Sequence, residues 1–313
     1  MKKTKVYLTF DIETITSRFS RNLDFKTTIL LGAITIAHEL KKRNLNAIFF
    51  ISMSPKFEGV DIGEYYDNLR MLINVLKYFE NIELAPHIHA FGIPMKFSTS
   101  SDSFDNYSAE QCIELLEFAK SFFGQCGVDV KSFRAGGFKI CDQYYDVLSK
   151  SGYIASSTLD KLEKPVIDLV NSVRNPNSPR LENSGVTEYP VTSVWIRSIK
   201  RKSVLINLSP DFLTLSSVKG AFSDLNYINM NFHSFSMYSN RLIRENHKGL
   251  VIKNIQYLLF EKIIGVIGSS LGLKMYKAET VFHTELLVWL DHFTSDQFYT
   301  LFMGRNVERN VEG

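Results

Sequence analysis

Cysteine is scarce in this chain. Only Cys112, Cys126 and Cys141 occur among 313 residues. Their number is odd and none of them share a C-x-x-C spacing, so the pattern predicts neither a disulfide framework nor a structural zinc site. We expect reduced, partly buried thiols, which are typical of cytosolic proteins.

An excess of one charge is also missing. The 36 lysine and arginine residues nearly balance the 33 acidic residues and leave a formal net charge of +3. Nucleic-acid-binding domains usually carry a concentrated basic face, so this balance does not predict a nucleic-acid partner. A hydrophobic content of 45% with 22% charged residues is instead ordinary for a globular protein with a sizeable core.

Long apolar runs are absent as well. The apolar segment 263–273 is short and follows Glu261 and Lys262, so we interpret it as a core helix and not as a membrane span. The first strand-like run begins shortly after Met1, which leaves no room for the apolar segment of a signal peptide. We therefore expect a cytoplasmic protein without a transmembrane segment.

Strand-like runs alternate with segments of helical periodicity. Residues 5–10 alternate and are rich in β-branched and aromatic side chains, whereas residues 47–51 are continuously apolar, as in a strand buried on both faces. Apolar spacing predicts helices over 27–43 and 65–80. Alternation at this spacing predicts βαβ units and hence an α/β fold.

The domain organisation is predicted to be simple. A third helix begins near Ser108, where Gln111 completes a capping-box pattern. Proline and asparagine between residues 159 and 187 predict a long surface loop. We expect one catalytic domain over residues 1–304, followed by a polar C-terminal tail over 305–313.

Four short polar clusters each end or follow an apolar, strand-like run. They are Asp11-Ile12-Glu13, His87-Ile88-His89, Arg134-Ala135-Gly136-Gly137 and His233-Ser234. In a parallel α/β barrel the carboxyl ends of the strands form one active-site face, so residues far apart in the sequence converge there. Two carboxylates, three imidazoles and one fixed cation are the inventory of a mononuclear metal hydrolase with a separate base and acid.

The histidine pair is the candidate metal-binding element. On an extended backbone His87 and His89 point to the same face, because only Ile88 lies between them. With one carboxylate they make a two-histidine, one-carboxylate site that leaves positions open for water and substrate. The alternative is a pair of histidines that merely lines a polar loop after Pro86.

The carboxylate pair, Asp11 and Glu13, shares a face in the same way. This arrangement suits a division of labour in which one carboxylate holds the metal and the other takes a proton from the attacking water. The residues alone do not assign the two roles. The alternative is an acidic turn that caps the following helix.

Two further side chains complete the set. Arg134 carries a permanent charge that would hold Asp11 in place, although an arginine before a Gly-Gly turn can also be a surface residue. His233 would donate a proton to the leaving amine, since imidazole is suited to that role near neutral pH. Its alternative is a hydrogen-bonded histidine of the core.

These clusters resemble the motifs of NodB-homology polysaccharide deacetylases, the fourth carbohydrate esterase family. The similar segments are Thr9-Phe10-Asp11 for the opening motif, Phe133–Phe138 with Ser151-Gly152-Tyr153 for the third, and Phe232-His233-Ser234 for the fifth. The family's adjacent aspartate pair is replaced by Asp11-Ile12-Glu13, and its His-x-x-x-His by His87-Ile88-His89. Both variants resemble a branch associated with surface-polysaccharide biosynthesis. The resemblance covers about residues 4–270.

The resemblance implies a deformed (β/α) barrel that removes an N-acetyl or other N-acyl group from a sugar. One divalent metal ion, with zinc as the expected element, would be held by Glu13, His87 and His89. Asp11 would then be the base, His233 the acid, and Arg134 the partner of the base. The expected substrate is a carbohydrate precursor, either a nucleotide sugar or a lipid-linked glycan.

Two other functions stay open on the sequence. Amidohydrolase-type barrels also use a His-x-His pair, but theirs normally ends the first strand, where this chain has Asp11 and Glu13. A non-catalytic glycan-binding relic is the second alternative. It would bind glycan and hold no metal, whereas the presence of a base, metal ligands and an acid together favours catalysis.

Overall fold

The computed structural model describes residues 4–13, 26–55, 61–138, 140–158, 166–168, 173–175, 179–197, 203–209, 222, 225–234, 287, 289–292 and 298–299. The apolar segment 263–273 and the tail 305–313 lie outside the described residues, so a single domain ending at residue 304 stays a prediction. Within the described ranges, every helix is too short or too polar to span a membrane.

A largely parallel sheet forms the frame of the molecule. Its strands, in spatial order, are β12 (Tyr227–His233), β1 (Lys5–Ile12), β2 (Ala47–Ser52), β3 (Ile82–Ile88), β4 (Ser132–Ala135), β5 (Ala155–Ser156), β9 (Thr187–Glu188) and β8 (Arg180–Leu181). Only the β8–β9 pair is antiparallel, and β13 (Phe298–Tyr299) adds a further parallel pairing with β1. The chain after β9 returns to β12, where the Thr192 N–H donates to the Asn229 carbonyl at 2.9 Å. This return closes the sheet into a deformed (β/α) barrel, which confirms the predicted fold class.

Helices connect the successive strands on the outside of the barrel. They are α1 (Gly32–Lys42), α2 (Ile62–Leu76), α3 (Ala109–Gln125) and α4 (Tyr144–Lys150). A short π-helix, Lys26–Leu31, leads into α1, so the predicted helix over 27–43 is divided in two. The predicted capping box of α3 is confirmed, because Ser108 and Gln111 exchange side-chain and backbone hydrogen bonds. Short 3-10 turns occupy Phe104–Asn106 and Gly136–Phe138.

The main hydrophobic core lies between the outer face of the sheet and these helices. Strand side chains such as Leu8, Phe10 and Phe49 face the buried residues Leu72 and Leu115 of the helices. The Phe10 and Phe49 rings meet edge-on with centroids 5.4 Å apart. Burial of each such side chain stabilises the fold by about 1.5–3 kcal/mol. The outer face of the barrel therefore provides the stability, and its inner face is available for polar residues.

The inner face begins with a small apolar layer and becomes polar toward the carboxyl ends of the strands. The apolar layer includes Tyr7, Tyr189 and Tyr227. The ring centroid of Tyr7 lies 5.1 Å from that of Tyr189 and 5.3 Å from that of Tyr227. Because successive side chains of a strand alternate between faces, Thr9 and Asp11 follow Tyr7 on the same inner face. Among the described residues, the polar side chains of this interior lie toward the carboxyl ends of the strands, where Thr9 and Asp11 are buried.

The predicted long loop over residues 159–187 is wrong in part. Within that span the structure has the strands β6 (Val166–Asp168) and β7 (Val173–Asn175), which pair antiparallel, and then β8 and the start of β9. A second sheet joins β6 and β7 to β10 (Ser193–Arg197) and β11 (Ser203–Asn207). Proline and asparagine occupy the connections between such short strands as readily as an open loop, so composition alone did not reveal the strands.

Glu188 on β9 leads to a prediction about stability and pH. Its side chain is fully buried, and neither carboxylate oxygen accepts a well-formed hydrogen bond from the described residues, although Ser156 and Arg180 lie nearby. Burial raises the pKa of Glu188 to about 8 and outweighs the lowering by Ser156 and Arg180. The folded chain thus binds a proton that the unfolded chain releases, so stability is lost as the pH rises from the ordinary glutamate range through about 8.

Glu188→Gln should remove this loss, because the amide stays neutral at every pH. We expect the variant to match the wild type near pH 5 and to exceed its free energy of unfolding by a few kcal/mol above pH 8. Urea unfolding at several pH values measures the difference. Glu114→Gln, at an exposed position of α3, is the control. Parallel pH profiles for Glu188→Gln and the wild type would contradict the prediction.

Candidate metal site

Strand register brings the four polar clusters to one edge of the barrel. Asp11 pairs with His233 of β12 on one side and with Phe50 of β2 on the other. His87 pairs in the same way with Ser52 of β2 and Arg134 of β4. Since all these strands run parallel, the clusters lie at the same level, at the carboxyl ends. Each predicted site residue is therefore found at the predicted end of the barrel.

Glu13, His87 and His89 form a compact buried group. The Glu13 Oε2 atom lies 3.4 Å from the His87 Nε2 and 3.1 Å from the His89 Nε2, and the two Nε2 atoms are 2.9 Å apart. One donor atom from each side chain falls within 4.8 Å of the others. Two imidazole nitrogens and one carboxylate oxygen in this arrangement could bind a metal ion. Among the two candidate carboxylates it is Glu13, and not Asp11, that lies against the histidines.

The second nitrogen of each imidazole is also held. The His87 Nδ1 lies 3.2 Å from the Arg134 carbonyl oxygen, and the His89 Nδ1 lies 2.6 Å from the Asp102 Oδ1. Both partners are acceptors, so each Nδ1 donates its N–H, and each Nε2 is directed toward Glu13, where it could bind a metal ion once it carries no proton. Metal-binding histidines are oriented in this way by acceptors behind the ring. The donor set therefore fits a metal ion in its chemistry as well as in its spacing.

The electrostatics of the group favour positive charge at its centre. Burial raises the pKa of Glu13, but the hydrogen bonds with His87 and His89 outweigh it and hold that pKa well below its usual value. Burial lowers the pKa of His89, but the hydrogen bonds with Asp102 and Glu13 outweigh it and raise that pKa to about 10. Two carboxylates on either side of one imidazole thus stabilise a cation, whether a proton or a metal ion.

Arg134 lies inside the barrel, fully buried, and not on the surface. Its five N–H donors reach the Asp11 carboxylate at 2.6 Å, the Asn231 side-chain oxygen at 2.7 Å, the Thr9 hydroxyl at 2.7 Å, and the Ser157 hydroxyl and carbonyl, both at 2.8 Å. The guanidinium carbon is 4.1 Å from the centroid of the Phe50 ring. A buried cation with every donor used and a carboxylate partner is stable in one orientation only. Arg134 therefore positions Asp11 rigidly.

His233 lies on the open side of the group. Its Nε2 is 4.0 Å from the Asp11 Oδ2 and 3.7 Å from the Glu13 Oε1, and 19% of its side chain is exposed. The next residue, Ser234, accepts a hydrogen bond from the Glu13 N–H and donates one to the Glu13 carbonyl. The ends of β1 and β12 are thereby locked together. These two hydrogen bonds hold the His233 imidazole beside the Asp11 and Glu13 carboxylates, where it is partly exposed to solvent.

The sequence patterns missed several residues of the site. Asp102 follows a serine-rich stretch that had no recognisable motif, and only the folded chain brings it against His89. Asn231, by contrast, precedes His233 by two positions on β12, so strand alternation alone could have identified it as a neighbour of the site. Ser157 reaches Arg134 from the end of β5, and no local pattern indicates that contact.

Gly136 approaches His89 so closely that it leads to a prediction. A Cβ atom at position 136 would lie 2.6 Å from the His89 Cγ and Nδ1 and 2.8 Å from the Ile88 carbonyl oxygen. Gly136→Ala should therefore move the imidazole away from Asp102. We expect zinc affinity to fall by about 10- to 100-fold, the usual effect of disturbing the support of a metal ligand.

Chelator competition on the purified variants measures this affinity. Gly124→Ala is the matched control, since a Cβ there meets nothing within 4 Å. An unchanged zinc affinity in Gly136→Ala would show that the close approach does not position His89.

Comparison with known proteins gives structural similarity only. No family model matches the chain, and no curated protein matches it. A structure assigned as a polysaccharide deacetylase from Mycobacterium smegmatis is 14% identical, with a TM-score of 0.48 over 75% of this chain and 78% of that one. One assigned as a polysaccharide deacetylase involved in O-antigen biosynthesis, from Bordetella bronchiseptica, is 10% identical, with a TM-score of 0.43 over 92% and 91%. A pseudoenzyme of the CE4 family from Bacillus anthracis is 12% identical, with a TM-score of 0.39 over 74% and 55%.

The structures similar to this chain thus include polysaccharide deacetylases and a pseudoenzyme. These likenesses are distant, so the function has to be inferred from the site itself.

Proposed function

We propose that this protein is a metal-dependent deacetylase that hydrolyses the N-acetyl, or another N-acyl, group of a sugar in surface-polysaccharide biosynthesis. One observation carries the proposal. A metal-binding group of Glu13, His87 and His89 shares one edge of the barrel with a separate carboxylate, Asp11, and a separate imidazole, His233. Amide hydrolysis requires these three functions together: activation of the carbonyl, a base for water and an acid for the amine.

The metal is proposed to be a single divalent ion held by Glu13, His87 and His89, with zinc as the expected element. Nitrogen and carboxylate donors suit zinc, and they also suit other transition metals, so the element is a separate question from the site. A divalent ion in such a site polarises the acyl carbonyl and makes water more acidic. Three protein donors leave coordination positions for water and substrate.

Asp11 is proposed as the base. Its Oδ1 is fixed by Arg134 at 2.6 Å, while its Oδ2 faces His233 at 4.0 Å. One oxygen is therefore used for orientation and the other is directed toward the open side, where an attacking water would lose its proton. A carboxylate held by a buried arginine keeps one orientation, which a base requires.

His233 is proposed as the acid that protonates the departing sugar amine. It is the most solvent-exposed of the proposed catalytic side chains, and it faces both Asp11 and Glu13. An imidazole is suited to donate a proton near neutral pH, which is the role that an acid requires. The amine of a sugar is a poor leaving group unless it is protonated, so this residue matters most for amides.

The two alternatives are less well supported by the geometry. The histidine pair lies at the end of β3, whereas Asp11 and Glu13 lie at the end of β1, and this order differs from that of amidohydrolase-type barrels. A glycan-binding relic would not need the acceptors behind both imidazoles or the fully bonded Arg134. These features maintain a precise arrangement of donors that binding alone does not require.

The proposal is tested by incubating the zinc-loaded protein with N-acetylated substrates and measuring acetate and free amine. The panel should contain N-acetylated nucleotide sugars, N-acetylated lipid-linked glycans and small non-sugar amides. Stoichiometric release from either sugar class, lost with a chelator and restored by zinc, supports the proposal and identifies the substrate form. Turnover of the small amides alone would favour the amidohydrolase alternative. Glycan binding with neither zinc uptake nor acetate release would favour the relic.

A further inference from the structure

We propose that Phe138 is the sugar-binding platform of the candidate site, where its aromatic ring stacks against the pyranose ring of the N-acylated substrate. The inference rests on the proposed function and deepens it, because it assigns a residue to recognition of the sugar itself. The metal ligands, the base and the acid proposed above all act on the acyl group and the amine, and none of them recognises the sugar ring.

The backbone at Phe138 adopts a conformation that is unfavourable for its side chain. The φ angle of Phe138 is 55° and that of Gly137 is 60°. Glycine adopts such left-handed angles freely, whereas the Cβ atom of a phenylalanine crowds the backbone carbonyl. Asn44 is the only other non-glycine residue with a positive φ among the described residues, and asparagine tolerates this angle better. A bulky residue keeps it only where its surroundings hold it, and such positions concentrate at functional sites.

These left-handed residues follow the carboxyl end of β4 and bring the Phe138 ring back over that strand. Gly136 lies so close to His89 that a Cβ atom there would be 2.6 Å from the imidazole. Two residues further on, the centroid of the Phe138 ring lies 5.6 Å from the guanidinium carbon of Arg134. Arg134 in turn binds Asp11 at 2.6 Å. The ring therefore lies beside the proposed base, at the edge of the barrel that holds the metal-binding group.

The Phe138 ring is only partly covered. Arg134 is fully buried, whereas Phe138 is half-buried, so one part of the ring packs on the guanidinium and another part is open to solvent. His233, the proposed acid, is also partly exposed at this end of the barrel. An aromatic surface that is open at the same end as the proposed acid is available to the sugar that carries the scissile amide.

A pyranose ring suits this surface. Its faces carry C–H bonds with slightly positive hydrogens, its hydroxyl groups project around its rim, and the face of an aromatic ring is negative. Stacking therefore brings the C–H face onto the ring and leaves the hydroxyl groups in water. The positive charge of Arg134 draws on the electron density of the Phe138 ring, but the bound Asp11 carboxylate offsets that charge. Nucleotide sugars and lipid-linked glycans both contain such a ring, so the platform recognises what the two expected substrates share.

The first test measures sugar binding apart from turnover. The zinc-loaded Asp11→Asn protein, in which turnover should be slowed, is titrated with N-acetylglucosamine, N-acetylgalactosamine and the N-acetylglucosamine disaccharide, and binding is followed by NMR. Adding Phe138→Leu keeps an apolar side chain next to Arg134 but removes the aromatic face, so dissociation constants should rise roughly 3- to 10-fold. Phe138→Tyr should bind as the background does. Phe118→Leu, which changes a half-buried phenylalanine of α3 that packs against Tyr66, is the control.

Two further measurements separate stacking from a structural role. Phe138→Gly adopts a positive φ without strain, so weaker binding in this variant cannot come from the backbone. With Asp11 intact, the ratio of kcat/KM for an N-acetylated sugar to that for an acyclic N-acetyl amide should fall roughly 3- to 10-fold in Phe138→Leu, because the acyclic amide has no ring to stack.

Equal losses on both substrates would show that Phe138 only covers Arg134 and Asp11, and would overturn the proposal. Unchanged dissociation constants in Phe138→Leu, or no binding of any of the three sugars by the Asp11→Asn background, would overturn it as well. If the wild type releases acetate from no amide, the proposed function fails by itself, and the titrations alone decide whether Phe138 binds sugar.

Discussion

The double variant His87→Ala/His89→Ala should lose its zinc. The two imidazoles supply two of the three donors within 4.8 Å, and Glu13 alone cannot form a chelating site. We expect one equivalent of zinc in the wild type and almost none in the double variant. Zinc affinity should fall by more than about 100-fold, which exceeds the usual effect of changing a residue that only supports a metal ligand. Elemental analysis after dialysis, with a chelator titration, measures both quantities.

The control for this experiment is His38→Ala. His38 is an exposed histidine on α1 whose ring packs edge-on against Phe79, away from the site. This variant should keep its zinc and thereby exclude an effect of histidine number alone. The same metal content in the wild type and the double variant would refute the assignment of the ligands.

Asp11→Asn should keep the metal and lose the reaction. The amide oxygen can still accept from Arg134, and neither Asp11 oxygen belongs to the metal-binding group. An amide cannot take a proton from water, so turnover on N-acetylated sugars should fall by roughly two to four orders of magnitude. The measurements are zinc content and kcat for acetate release, with Asp67→Asn on the exposed side of α2 as the control. Acetate release at the wild-type rate would rule out Asp11 as the base.

The variant His233→Ala tests the proposed acid independently of the proposed base. It should also retain zinc, and it should lower the rate on sugar amides far more than on activated esters, whose leaving groups need no proton. Equal losses on both substrate types would instead indicate that His233 positions the substrate or the water. The comparison of leaving groups therefore tests a role that zinc content alone cannot reveal.

Much of the fold was predictable because its signals are local. The alternation in residues 5–10 and the continuous apolar run 47–51 identify β1 and β2, although β1 extends two residues further and includes Asp11. The capping box at Ser108 needed only four consecutive residues to be recognised. The same period-two rule placed both imidazoles of the His-x-His pair on one face, and their Nε2 atoms are 2.9 Å apart.

The sequence by itself determined which side chains stand at the ends of the strands, because strand alternation and helix caps depend on neighbouring residues. Only the tertiary structure decided which of those side chains contact one another, and therefore which role each of them could take. Closure of the barrel brings Arg134 into contact with Asp11, 123 positions away in the sequence. Asp11 is thus bound by Arg134, whereas Glu13 contacts the histidines. Closure also brings Asp102 behind His89 and buries Glu188 without a well-formed hydrogen bond from the described residues. Such contacts depend on strand register and on the exclusion of water, which are properties of the folded chain that no local pattern encodes.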